Sequence, residues 1–137
     1  MAKLLWRPSE ERIKASNMYR FMQFINERFG RNFKGYEELY RWSVENIPDF
    51  WASMWEFAGI KASKPHYEVV DDAFRMPGAK WFSGADLNFA ENLLRYCDDE
   101  VAVIFKGEIG PSRKLTFKEL YQEVARVARS LKEMGVE

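Results

Sequence analysis

The chain has 137 residues, of which 47% are apolar and 31% are charged, a composition typical of a globular protein. A chain of this length suits one domain and can bury a genuine hydrophobic core. Its 21 basic residues match its 21 acidic residues, so no net charge favours binding to a nucleic acid or to an anionic membrane surface.

Three helices are predicted in the first half of the chain. Residues 9–29 are predicted as one long helix, because apolar side chains recur every three to four residues and Gly30 offers a left-handed stop. Residues 36–43 form a second predicted helix and residues 48–59 a third, with Pro48 at its first position. The apolar stripe of the first helix needs a partner, and it consists of Ile13, Met18, Phe21, Met22, Ile25 and Phe29.

Residues 60–80 lose this periodicity and are predicted as an extended connector with a short strand at Tyr67–Val70. A helix is then expected over residues 88–96. Asn88 and Glu91 have the spacing of a capping box, in which each side chain bonds a free amide at the start of a helix. The side chains expected to face inward from this helix are Phe89, Leu93 and Leu94.

Aromatic residues make up 16% of the chain, which is the most unusual feature of its composition. Trp42, Trp51 and Trp55 fall on predicted helices, where core packing is the favoured explanation. The alternative is that they line a ligand pocket or anchor a partner surface. Trp81 and Phe82 lie on a segment predicted to be irregular, just before a possible turn. We therefore predict that this pair holds the connector against the protein body or forms part of an interface.

The last third of the chain predicts a strand, a second strand and a helix. Residues 101–106 and 113–116 are the predicted strands, separated by a turn with two glycines and a proline. Thr116 and Glu119 form a second capping box, which opens a long amphipathic helix that Gly135 ends. The predicted fold class is therefore α+β.

The predicted division places a mostly helical region in residues 1–100 and the hairpin with its long helix in residues 101–137. Val101, Val103 and Phe105 share one face of the first strand, and the opposite face is apolar as well. A strand that is apolar on both faces is typical of a sheet buried on two sides, so this sheet is predicted to be incomplete. Its open edge is expected to pair with other polypeptide, and in the isolated chain with a second copy.

The sequence contains no convincing catalytic, cofactor-binding or metal-binding constellation. Gly30 and Gly35 have the gap of a phosphate-binding loop, but the lysine and hydroxyl residue that should follow are missing. His66 is the only histidine and is predicted to be exposed in a polar loop, without partners for a zinc site or a catalytic triad. Cys97 precedes three acids, which favours a buried or inert thiol over a reactive one, and a solvated loop over a metal cluster.

The same features bear on location. A single cysteine cannot form an internal disulfide, and no apolar run has the length of a signal peptide core or of a membrane span. We therefore expect a cytoplasmic protein with no membrane partner.

Three segments together resemble the N-terminal region of the adenylate-forming acyl-CoA synthetases, and most nearly those that act on acetoacetate. They are LYRWSVENIPDFWASMWEFAGI (39–60), WFSGADLNFAENLLRY (81–96) and LTFKELYQEVARVARSLKEMGV (115–136). The resemblance covers about residues 36–137, and its segments occur in the family's order. It implies that the final hairpin and helix begin the large adenylation domain of such an enzyme.

The resemblance implies a reaction in which an acid and ATP give an acyl-AMP and pyrophosphate, after which coenzyme A displaces AMP. It also implies magnesium, ATP and coenzyme A for a complete enzyme. The family's phosphate loop, nucleotide contacts and catalytic lysine lie downstream, so no catalytic or ligand residue is assigned here, and the isolated chain is expected to be inactive. The implied partner is the downstream portion of the synthetase. The alternative is a stand-alone helical interaction module derived from such an enzyme.

Overall fold

The computed structural model describes residues 5–136, which mix helices with short strands. Their contacts divide the chain into two compact units, Met1–Asp86 and Leu87–Glu137. This division falls earlier in the chain than the domain boundary predicted after residue 100, which stays a prediction about the family's domains. The α+β character expected from the sequence is confirmed.

Four helices open the first unit. They are α1 (Glu10–Lys14), α2 (Asn17–Phe29), α3 (Tyr36–Glu45) and α4 (Ile47–Phe57). The prediction of one helix over residues 9–29 is wrong, because the chain becomes extended at Ser16, with φ −75° and ψ 149°. There the Ser16 hydroxyl accepts a hydrogen bond from the Tyr19 amide at 3.2 Å and starts a new helix. The predicted start at Ser9 and the left-handed stop at Gly30 are confirmed.

The core of the first unit lies between α2, α3 and α4. Its five apolar side chains are each at most 6% exposed, and they are Phe21, Met22, Ile25, Leu39 and Trp42. Rings from α2 and α4 meet edge to face, with the Phe21 and Phe57 centroids 5.1 Å apart. The predicted apolar stripe is therefore confirmed for Phe21, Met22 and Ile25. Ile13 and Met18, at its start, are exposed.

Two short antiparallel strands complete the first unit. They are β1 (Glu68–Val70) and β2 (Trp81–Ser83), with Glu68 opposite Ser83 and Val70 opposite Trp81. The strand predicted near residues 67–70 is confirmed. The prediction of an irregular segment at Trp81 and Phe82 is wrong, because both residues lie on β2, which pairs with β1.

The second unit contains α5 (Phe89–Leu93), β3 (Val101–Phe105), β4 (Arg113–Thr116) and α6 (Phe117–Glu133). The Asn88 side chain accepts from the Glu91 amide at 3.0 Å, as its spacing predicts. The helix ends earlier than predicted, and the chain then brings the Tyr96 ring within 6.1 Å of Phe117. The prediction that Phe89 and Leu93 face inward is wrong, since both are more than half exposed, while Leu94 is half-buried.

Local signals define the hairpin and the last helix as predicted. β3 and β4 pair antiparallel, with a register irregularity between Val101 and Val103. Thr116 and Glu119 form both halves of the capping box, and α6 ends in the two hydrogen bonds of a Schellman motif, from Gly135 to Lys132 and from Val136 to Leu131.

Candidate functional site

Trp81 and Phe82, the first candidate interface residues, face aromatic side chains of α4. The Phe82 ring lies 4.5 Å from the Trp55 ring, and the Trp81 ring lies 5.9 Å from the Trp51 ring. Phe82 is half-buried by this contact, whereas Trp81 and Trp51 keep about two fifths of their surface exposed. The pair thus packs β2 onto α4, as predicted, and leaves one indole pair at the surface.

His66 belongs to this aromatic cluster, so the prediction of an exposed loop histidine is wrong. Its ring lies 5.0 Å from Trp55 and 5.2 Å from Phe82, with near-perpendicular planes. Its Nδ1 atom is buried and has no hydrogen-bond partner among the described residues. The sequence could not show this contact, because the three rings come from a helix, a loop and a strand.

The backbone that carries Phe82 is unusual. Phe82 has a φ of 49°, a left-handed value that non-glycine residues rarely adopt, and Gly84 follows with a φ of 87°. A Cβ atom on Gly84 would lie 2.5 Å from Cδ1 of Tyr67, so glycine allows the two segments to approach. This tight return of the chain directs the Phe82 ring towards Trp55 and His66.

Val101, Val103 and Phe105, the other candidate interface residues, lie together on β3 in the second unit. They are 40–60% exposed, and Ile104 on the opposite face is 65% exposed. β4 is the strand that pairs with β3 in the described part of the chain, and no further strand covers its second edge there. The structure therefore places an uncharged strand edge and apolar side chains at the surface of this unit.

The long helix of the same unit adds a second exposed apolar surface. Val124, Val127 and Leu131 line a shallow groove on α6, and each is at least 37% exposed. Glu123 and Ala128 complete its lining. An amphipathic helix normally buries such a stripe, so this surface is suited to contact with other polypeptide.

Two carboxyl groups have a lowered pKa, and both are held by hydrogen bonds of the fold. The Lys80 backbone amide is the largest cause of the lowered pKa of Asp71, followed by donors that include Asp72 and Arg75. The Thr116 backbone amide is the largest cause of the lowered pKa of Glu119. Their partners are backbone groups of a loop and of a helix start, which is a structural arrangement.

Neither a metal-binding cluster nor a helix that could cross a membrane occurs among residues 5–136. No group of three or more His, Cys, Asp or Glu side chains able to hold a metal ion occurs among them. No helix in the same range is long and apolar enough to span a bilayer. Cys97 is exposed, so the predicted alternative of a buried thiol is wrong. The neighbouring Asp98 accepts a hydrogen bond from the Glu100 amide.

The sequence did not predict one pair of exposed apolar side chains. Phe74 and Met76 are 89% and 96% exposed at the tip of the loop between β1 and β2. The available signal was two large apolar side chains within a polar, aperiodic segment. Which of the exposed surfaces forms an interface stays a prediction.

Comparison with known proteins gives consistent matches over nearly the whole chain. A family described as acetyl-coenzyme A synthetase N-terminus matches residues 36–93. The acetoacetyl-CoA synthetase of Danio rerio is 38% identical over 138 residues, which cover 98% of this chain and 20% of that protein. The malonamoyl-CoA synthetase of Penicillium aethiopicum is 34% identical over 142 residues, which cover 98% of this chain and 19% of that protein.

A solved structure shows the same fold. The acetoacetyl-CoA synthetase from Streptomyces lividans superposes with a TM-score of 0.84 at 36% identity, covering 99% of this chain and 22% of that one. The chain thus spans about a fifth of the length of the relatives it matches. It belongs to the acyl-CoA synthetase family that these acetoacetyl-CoA synthetases represent, and it corresponds to an N-terminal part of them.

Proposed function

We propose that the chain supplies the N-terminal, non-catalytic part of an enzyme that joins acetoacetate to coenzyme A with ATP, releasing AMP and pyrophosphate. The superposition on the Streptomyces lividans acetoacetyl-CoA synthetase over 99% of the chain carries this proposal. In such an enzyme the chain packs against the remaining polypeptide and stabilises the position of that polypeptide. We also propose a cytoplasmic location, which the single cysteine supports because it cannot form an internal disulfide.

The residues described here do not fit the cofactors of that reaction. Magnesium with ATP needs carboxylate ligands beside a phosphate-binding loop. The described residues contain no such acidic cluster, and Gly35 is followed by Tyr36 and Glu37 in place of a lysine and a hydroxyl. We therefore assign ATP, magnesium and coenzyme A to other polypeptide of the enzyme and assign no reaction step to this chain.

The exposed surfaces of the second unit support a role as part of a larger sheet domain. Val103 and Phe105 on β3, with Val127 and Leu131 on α6, keep 40–60% of their surface exposed. A two-stranded hairpin is marginal by itself and needs further strands or a covering layer. The remaining polypeptide of a synthetase would add strands to the free edge of β3 and cover the α6 groove.

Coexpression tests this function directly. The chain is produced together with the Streptomyces lividans acetoacetyl-CoA synthetase that lacks its corresponding N-terminal region. We expect the two to copurify and to form acetoacetyl-CoA from acetoacetate, ATP and coenzyme A, while either part alone is inactive. Thioester synthesis by the purified chain alone, or no copurification, would contradict the proposal.

A stand-alone interaction module is the second candidate, and the free apolar edge of β3 favours it. An uncharged edge strand can pair with the same strand of a second copy around a two-fold axis. Sedimentation of the isolated chain should then show self-association, which Ile104→Lys on β3 abolishes. Ile109→Lys is the matched control, because Ile109 is exposed in the turn beyond the strand. A strictly monomeric chain at high concentration would reject this candidate.

A further inference from the structure

The segment 71–80 between β1 and β2, here named the Asp71 loop, is crossed by several hydrogen bonds, of which three are accepted by the Asp71 carboxylate. Asp71 Oδ1 accepts from the amides of Asp72 at 2.7 Å and Lys80 at 2.9 Å, and its Oδ2 accepts from Arg75 Nη1 at 2.8 Å. One side chain therefore bonds the beginning, the middle and the end of the loop. Such bonds reduce the number of conformations that the loop tip can adopt.

This ordered loop displays Phe74 and Met76, which are almost fully exposed. Because hydrogen bonds already restrain the backbone of this loop, less backbone entropy is lost when its large apolar side chains are buried against a partner, so they can serve as anchors. Leaving both in water is unfavourable, since the burial of apolar surface is stabilising. A loop with Asp71 at its base therefore has the architecture of a docking element.

A groove next to the loop extends this surface. It has a volume of about 250 Å³ and lies between the end of α3, the start of α4, β1 and the loop. Its apolar lining includes Val44, Ile47, Val70 and Phe74. The two charged residues that line it, Glu45 and Asp71, are both acidic. Since Asp71 is paired with Arg75, Glu45 provides the negative charge that a partner can reach.

We propose that the Asp71 loop and this groove bind an apolar segment with a basic flank, supplied by the remaining polypeptide of the synthetase. This inference rests on the proposed function. Two observations select the occupant. The relatives are about five times as long as this chain, so further polypeptide accompanies this region in them. The exposed Glu45 at the groove complements a Lys or Arg. The loop thus forms a contact in the first unit, separate from the surfaces of the second unit.

The affinity between the chain and the truncated synthetase, measured by titrating one part with the other, provides the test. Phe74→Ser combined with Met76→Ser should weaken the affinity of the chain for the truncated synthetase at least tenfold, as loss of two anchor side chains does. Ile109→Ser is the matched control, because Ile109 is as exposed as Met76 but lies in the other unit. It should leave the affinity unchanged. Circular dichroism of each variant should match the parent chain.

The outcomes separate this inference from the proposed function. Binding by the parent chain that the double serine variant leaves intact overturns the inference alone. Absence of any binding by the parent chain overturns both. Loss of self-association, with unchanged binding to the truncated synthetase, assigns the loop to a second copy and also overturns the inference. Glu45→Gln should reduce the salt dependence of the affinity, and salt-independent binding by the parent chain would contradict the basic flank.

Discussion

The two compact units differ in how far their apolar side chains are buried. In the first unit, three helices enclose a core whose members include Phe21, Ile25 and Trp42, all nearly inaccessible to water. In the described part of the second unit, no side chain is buried, although α6 is clearly amphipathic and precisely capped. Capping and turn signals are therefore sufficient to define elements, but a closed core requires facing elements that the second unit does not contain in residues 87–136.

The difference matters for function because exposed apolar surface has to be covered in a working protein. The first unit surrounds its core with exposed apolar side chains at several separate places, which include Leu5 and Trp6, Tyr67, and the loop tip with Phe74 and Met76. The second unit exposes them along β3 and along the length of α6. The second unit is thus expected to depend on contacts with other polypeptide for much of its stability.

Replacing a core residue should produce the largest effect. Ile25→Ala removes a side chain that has no exposed surface, so it should lower the free energy of unfolding by about 2–5 kcal/mol. Leu131→Ala in α6 is the matched control, since this side chain is two fifths exposed in the isolated chain and should cost less than about 1 kcal/mol. Urea unfolding followed by far-UV circular dichroism measures both, because all five tryptophans lie in the first unit and do not report on α6. Equal losses would show that the second unit is packed as well as the first.

Two glycine substitutions test the close approach of Gly84 to Tyr67 beside Phe82. Gly84→Ala should destabilise the first unit by about 1–3 kcal/mol, because a Cβ atom would meet the Tyr67 ring and the φ of 87° is strained for alanine. Gly30→Ala also has a positive φ, of 60°, but its Cβ would meet nothing within 4 Å. Its loss should be about 1 kcal/mol. Thermal unfolding compares the two, and a larger loss for Gly30→Ala would refute the contact argument.

How much the sequence predicts depends on whether the signal is local. Ser9, Gly30 and the pair Thr116 and Glu119 act within one helix turn, and the structure shows each in the predicted role. The break at Ser16 went unpredicted because the apolar stripe continues across it, although serine is a favoured helix start. An apolar repeat of three to four residues therefore cannot reveal that one residue, Ser16, has an extended backbone.

The features that were missed are tertiary. The position of His66 depends on Trp55 and Phe82, which are distant in sequence, so no spacing rule places the histidine between them. β2 has three residues and contains a Phe82 with a left-handed backbone, so it shows no regular alternation. For β3 the apolar pattern predicted the strand and its need for cover, but the pattern cannot specify which polypeptide provides that cover.

A smaller effect is expected at the start of α6, where local bonds replace core packing. Thr116→Ala removes the hydroxyl that accepts from the Glu119 amide at 3.2 Å, which should cost about 1 kcal/mol in the first helix turn. Hydrogen exchange of the Glu119 amide should then be about fivefold faster. Thr116→Ser retains the hydroxyl and serves as the control, so comparable acceleration in both variants would contradict the capping role.

The smallest expected effect is a pH dependence of the same helix turn. Glu119 Oε2 accepts from the Thr116 amide at 2.8 Å, which favours the charged carboxylate and lowers the pKa of Glu119 below its ordinary value of 4.5. Because the folded pKa is the lower one, this stabilisation is complete above the ordinary value and is lost as the pH falls through the folded pKa. Exchange protection of the Thr116 amide, corrected for intrinsic rates, should therefore be constant above pH 4.5 and decrease below it. Glu119→Gln retains a hydrogen-bond acceptor but does not titrate, so its protection should be nearly independent of pH in that window. The same decrease in the glutamine variant would assign the pH dependence to another carboxyl group.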